Sequence, residues 1–146
     1  MIKTSILRAK IERSKIDFRD TFLWNEEQAD ANKNLILNLL LKNGEEIILH
    51  YIKSEEYRWF LTNERIIFPH ETSHIFLSHL IDVGIPQELV ENPDEKMTNN
   101  KLILSTKEND AHELYVEEKT WHLFYNVFKF IVSKNRDKIT TGNGSD

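Results

Sequence analysis

The sequence predicts an α+β domain, with helices at both ends of the chain and an antiparallel β portion between them. Three observations carry this. From Gly44 to Phe68 the apolar residues recur with a two-residue period and are rich in β-branched and aromatic types. From Trp121 to Val132 the period becomes that of a helix. The chain has 146 residues, 40% hydrophobic and 29% charged, enough for one packed core without staples.

In chain order, Ile6, Leu7 and Ile11 mark a first helix over 4–15. A loop or short turn holding Phe18, Phe22 and Trp24 follows. Asn25 is a helix cap, with Glu26 and Glu27 in the first turn and Gln28 at the capping-box position. The helix is expected to run to Asn43, with Gly44 as its left-handed stop. Leu35, Ile36, Leu39 and Leu40 form its stripe, and Leu37 and Leu41 widen it, so cover on more than one side is expected.

Residues 45–52 read as the first strand. Tyr57–Phe68 then reads as a hairpin with Asn63 and Glu64 at its tip, Asn63 tolerating the left-handed backbone of such a turn. The two-residue period places Trp59 and Leu61 on one face, Arg58 and Phe60 on the other. Pro69 ends the next strand, because it has no N–H to give a ladder. Residues 73–77 and 80–85 are two short strands, stopped by Gly84 and Pro86. Residues 86–100, with Pro86 and Pro93, read as a long loop, and 101–107 with 112–116 as a last hairpin. Trp121, Phe124, Tyr125, Phe128, Ile131 and Val132 then form the stripe of a closing amphipathic helix. Beyond Ser133 the chain is polar and is expected to fray.

This order of elements, with Gly44-Glu45-Glu46 entering a strand and the run Phe60-Leu-Thr-Asn-Glu-Arg-Ile-Ile67, resembles the bacterial pleckstrin-homology-like domains. The resemblance covers roughly residues 33–134. It implies a bent antiparallel β-barrel or sandwich capped by the C-terminal amphipathic helix. The organisation expected is a helical extension over 1–43, the β domain with its closing helix over 44–137, and a flexible tail over 138–146. That scaffold hosts lipid, peptide and protein binders, so fold alone does not choose a function.

Composition narrows the field. With no cysteine there is no disulfide, thiolate nucleophile or thiolate metal site. No apolar run approaches the roughly 18 residues of a membrane span, and residues 1–10 lack a signal-peptide core, so a cytoplasmic chain is expected. The net charge of −5 argues against nucleic acid. Residues 1–20 hold six Lys/Arg against three acids, whereas residues 86–118 hold nine acids against three Lys. That imbalance suits a basic protein partner, and equally a solvated face. The candidate partner-binding residues are Glu88, Glu91, Asp94, Glu95, Glu108 and Asp110.

His70-Glu-Thr-Ser-His74 matches the H-E-x-x-H zinc pattern, in which both histidines share a helix face and Glu71 activates the metal-bound water. Pro69 and the strand-like flanks argue against a helix here. His50, His112 and His122 read as packed or surface residues. Trp24 is either a staple against its helix or an exposed anchor. Phosphoinositide recognition is disfavoured by Glu55 and Glu56, which stand between Lys53 and Arg58 in the first turn of the β region. No glycine-rich phosphate loop exists among four glycines, and no cofactor is expected. The leading expectation is a non-enzymatic protein-binding module, most specifically a small acidic inhibitor or immunity protein neutralising a basic toxin or enzyme. The alternatives are a zinc-dependent hydrolase, with His70 and His74 as ligands and Glu71 as general base, and a lipid- or peptide-binding regulatory domain.

Overall fold

The computed structural model of the chain describes residues 2–87, 91 and 99–141, in two compact units, Met1–Leu77 and Ser78–Asp146. The first contains α1 (Thr4–Arg13), β1 (Thr21–Leu23), α2 (Glu26–Ala31), α3 (Lys33–Leu39), β2 (Ile47–Ile52), β3 (Arg58–Thr62), β4 (Arg65–Phe68) and β5 (Ser73–Phe76). The second contains β6 (Leu80–Gly84), β7 (Lys101–Thr106), β8 (Ala111–Tyr115) and α4 (Trp121–Thr141). The class is therefore α+β, with one five-stranded and one three-stranded antiparallel sheet. Among the described residues neither sheet closes on itself.

In the first unit the strands follow one another as an antiparallel meander, β1-β2-β3-β4-β5. Register sorts their side chains into rows. Phe22, His50, Phe60, Ile67 and His74 stand directly opposite one another across all five strands, so they share one face. Leu23, Leu49, Leu61, Ile66 and Ile75 form the row on the other face. A bulge between Ile47 and Leu49 puts Ile47 on the face of Phe60 and Ile67. There Leu39 of α3 joins them in a small core, with Trp24, Leu35, Ile36 and Leu41 packed against it. Trp24 meets the Phe60 ring edge-on at 5.7 Å, so it belongs to this core and is no exposed anchor.

Three expectations for the segment before β2 need correction. The segment around Phe22 is a strand, held by three residue pairs with β2. The single helix expected from Asn25 to Asn43 is two short helices. Asn25 does cap the first, accepting from Gln28 N at 2.9 Å, but the second stops at Leu40, itself left-handed at φ 52°. Finally, Leu37 and Leu40 are 73% and 80% exposed, so this segment is covered on one side only.

The Tyr57–Phe68 hairpin forms as expected, but Asn63 has no left-handed backbone. It acts as a clamp instead, its Oδ1 accepting from Glu46 N at 2.8 Å and its Nδ2 donating to Gly44 O at 3.3 Å. Thr62 closes the turn, its hydroxyl accepting from Glu64 N and Arg65 N.

In the second unit β7 alternates buried and half-buried residues along its length, and α4 lies against β6 and β7. Phe124, Phe128, Ile131 and Val132 are fully buried, so the helix stripe read from the sequence is the buried one. The helix continues past Ser133 to Thr141, where fraying was expected. Of the expected loop over 86–100, residues 88–90 and 92–98 lie outside the described residues, and Gln87 and Glu91 are helical.

Candidate functional site

The first unit carries a cleft of about 600 Å³ between α3 and the β4–β5 hairpin. Leu35, Leu39 and Leu40 line one wall, while Ile67, Phe68 and Pro69 line the other. Its polar groups are Arg65, Asn38, Thr72, Ser73 and His74. The hairpin that forms this wall turns over Pro69–Thr72, closed by Thr72 N donating to Pro69 O at 3.2 Å with Thr72 left-handed at φ 48°.

Arg65, which lines the cleft, forms a buried ion pair. Arg65 Nε donates to Glu45 Oε2 at 2.9 Å and Nη2 to Glu45 Oε1 at 3.1 Å, a two-pronged fork. The Glu45 side chain is fully buried and that of Arg65 is 7% exposed. Glu45 also accepts from the Thr62 hydroxyl at 2.6 Å and from Lys42 N at 2.9 Å. Burial favours the protonated carboxyl, but the hydrogen bonds from Arg65, Thr62 and Lys42 outweigh it and hold the Glu45 pKa below its ordinary value. Arg65 Nη2 further donates to the carbonyls of Leu39 and Leu40 at 3.2 and 3.1 Å. A cation thus satisfies the open carbonyl end of α3. Arg65 Nη1 stands 3.4 Å from His74 Nδ1. Partial desolvation, then the charges of Arg65 and Lys42, lower the His74 pKa, with Glu45 acting in the opposite direction.

Sequence reasoning found the parts of this site without joining them. Gly44-Glu45 and Thr62-x-x-Arg65 are the residues of the family resemblance, and they meet here. The available signal was Arg65 itself, a charge opening the apolar strand Ile66-Ile67-Phe68, where burial would demand a partner. A second signal was the α3 stripe, too wide for one helix face.

The H-E-x-x-H pattern is not helical. His70 and Glu71 lie in the turn and His74 on β5, so the shared helix face required by the zinc-hydrolase alternative does not form. Proline at 69 and the β-branched neighbours of the strand set this local choice. Glu71 accepts from the Ser73 hydroxyl at 3.3 Å, and His74 Nδ1 faces a guanidinium. Among the described residues no group of three His, Asp or Glu is placed to hold a metal ion.

His50 is a packed residue, as expected, 2% exposed and stacked parallel on Phe60 at 4.1 Å. Of the candidate acidic residues, Glu88, Asp94 and Glu95 lie outside the described residues. Glu91 is exposed. Glu108 and Asp110 flank Asn109, left-handed at φ 66°, at the tip of the β7–β8 hairpin, where residues 107–111 are all exposed. Glu108 accepts from His79 Nδ1 at 2.8 Å, and Glu113 lies 3.8 Å from Lys101. Glu117, counted in the acidic stretch, is only 6% exposed and adds little to that surface.

Comparison with known proteins finds no matching family model, no matching curated protein and no matching solved structure. No helix among the described residues is long and apolar enough to cross a membrane.

Proposed function

We propose that the chain is a protein-binding module on a pleckstrin-homology-like scaffold, most specifically a small acidic inhibitor or immunity protein that neutralises a basic toxin or enzyme. The observation that supports it best is the tip of the β7–β8 hairpin. It projects two carboxylates, Glu108 and Asp110, around a left-handed residue with every position from 107 to 111 exposed. Glu113 stands exposed on the same hairpin. Clustered surface carboxylates of this kind steer a basic partner and act chiefly on the association rate. The scaffold reading draws on the antiparallel strand order and on α4 packed against β6 and β7, together with the Leu61-Thr62-x-x-Arg65 hairpin.

The test is affinity capture with this chain as bait, followed by stopped-flow binding of the captured partner. Replacing Glu91, Glu108, Asp110 and Glu113 together by Lys is expected to slow association about tenfold or more at low salt, with folding retained. The ion pairs lost are solvent-exposed ones that add little to folding stability. A captured partner whose association rate is unchanged in the variant would show that these acids only solvate the hairpin.

A further inference from the structure

We propose that the cleft between α3 and the β4–β5 hairpin binds an aliphatic carboxylate, its chain between the leucine and β4 walls and its head on Arg65 and His74. The proposal goes beyond the protein-binding reading and does not depend on it. At about 600 Å³ the cleft falls within the range of roughly 300–1,000 Å³ typical of small-ligand sites. Its composition is also that of such sites: apolar walls with a few polar groups converging at one place.

The head group follows from counting donors. A guanidinium has five N–H groups and no acceptor. In Arg65, Nε and Nη2 serve Glu45 and the carbonyls of Leu39 and Leu40. Nη1 gives one N–H to His74 Nδ1. One N–H of Nη1 therefore has no acceptor among the described residues, on a side chain 7% exposed that lines the cleft. The same contact sets the imidazole. Because Arg65 can only donate, His74 Nδ1 is the acceptor, and the neutral ring carries its proton on Nε2 as a second donor. Two neighbouring donors with no acceptor among the described residues, one on the buried Arg65 and one on the exposed His74, match the two oxygens of one carboxylate.

Charge leaves the same contact open. Arg65 is matched by Glu45, and Lys42 is matched by Glu64 at 3.1 Å. The site is thus balanced with His74 neutral, and the ring stays neutral on binding, because a proton on Nδ1 would face the Arg65 guanidinium from which it accepts. Leu40, 80% exposed and left-handed, forms the lip over the chain, and its carbonyl is held by the same guanidinium. A left-handed leucine in solvent costs the fold free energy and returns no burial, which suits a surface kept for a ligand.

The experiment titrates the whole chain with decanoate and, separately, with 1-decanol, by calorimetry at pH 7.5. Decanoate should bind one-to-one with a submillimolar dissociation constant, about tenfold or more tighter than decanol. Asn38→Trp, which fills the cleft from an exposed position on the same face of α3 as Leu35 and Leu39, should abolish binding while keeping the circular dichroism of the parent. Equal affinity for acid and alcohol, undiminished binding in Asn38→Trp, or no saturable binding of decanoate would each overturn the proposal. Should Asn38→Trp fail to fold, the imidazole NMR signals of the parent chain decide, with His74 assigned from His74→Gln. A decanoate-specific shift confined to His74 supports the site. Its absence, or equal shifts at other histidines, overturns it.

Discussion

Arg65 and Glu45, twenty residues apart in sequence, hold each other through two hydrogen bonds at the end of α3, with the carboxylate fully buried and the guanidinium side chain 7% exposed. The pair joins three segments: the loop before β2, the β3–β4 turn through Thr62, and the carbonyl end of α3.

Breaking that pair from one side should be costly. Arg65→Met leaves a buried carboxylate with only Thr62 and Lys42 N to satisfy it, a loss of about 3–5 kcal/mol. The double variant Glu45→Leu, Arg65→Met removes both charges and should be markedly more stable than Arg65→Met alone. Urea unfolding of the parent, both single variants and the double variant gives the coupling. A cost under about 1 kcal/mol for Arg65→Met would mean that the fork contributes little.

How much of this was legible can be judged from particular residues. The hairpin over Tyr57–Phe68 and the stripe of α4 were readable, because each is set by local period and burial follows it. The stop of α3 was not. Gly44 is left-handed at φ 81°, as a helix stop would be, yet α3 ends at Leu40 because a guanidinium twenty-five residues away satisfies its carbonyls. No local pattern announces such a partner. β1 escaped for a different reason, since three residues are too few to show a period. The cleft was unreadable because its walls come from segments about thirty residues apart, joined only by sheet register.

The two left-handed positions between α3 and β2 should respond in opposite directions to substitution. Leu40 is 80% exposed at φ 52°, so Leu40→Gly relieves the backbone and gives up almost no burial. A gain of about 0.5–1 kcal/mol is expected. Gly44 is at φ 81° with open space where a Cβ would stand, so Gly44→Ala costs conformational free energy alone, about 1 kcal/mol. Thermal or urea unfolding of the two variants checks both signs. A loss of stability in Leu40→Gly would show that the exposed leucine is held by contacts rather than tolerated.

His50 should give the fold its sharpest acid sensitivity. Its ring is stacked on Phe60 and edge-on to Trp24 at 6.2 Å, and its Nε2 accepts from Arg58 Nε at 3.3 Å. The proton of the neutral ring is therefore on Nδ1, which is buried without a hydrogen-bond partner among the described residues. Burial first, and then the Arg58 charge, push the His50 pKa down to about 4. Between about pH 6.5 and 4 the unfolded chain binds a proton at this residue that the folded chain refuses. Stability must then fall as pH is lowered through that window, by at most about 1.4 kcal/mol per unit from this one group, and level off below it. His74 adds the same sign to a smaller extent, whereas Glu45, with its lowered pKa, loses its contribution only below the ordinary carboxylate range. His50→Phe keeps an aromatic ring beside Phe60 and removes the unsatisfied N–H. At pH 7.5 it should be neutral or stabilising, and between pH 6.5 and 5 its stability should change far less with pH than that of the parent. Urea unfolding at half-unit pH intervals distinguishes the outcomes, since an unchanged slope in His50→Phe would place the acid sensitivity on other groups.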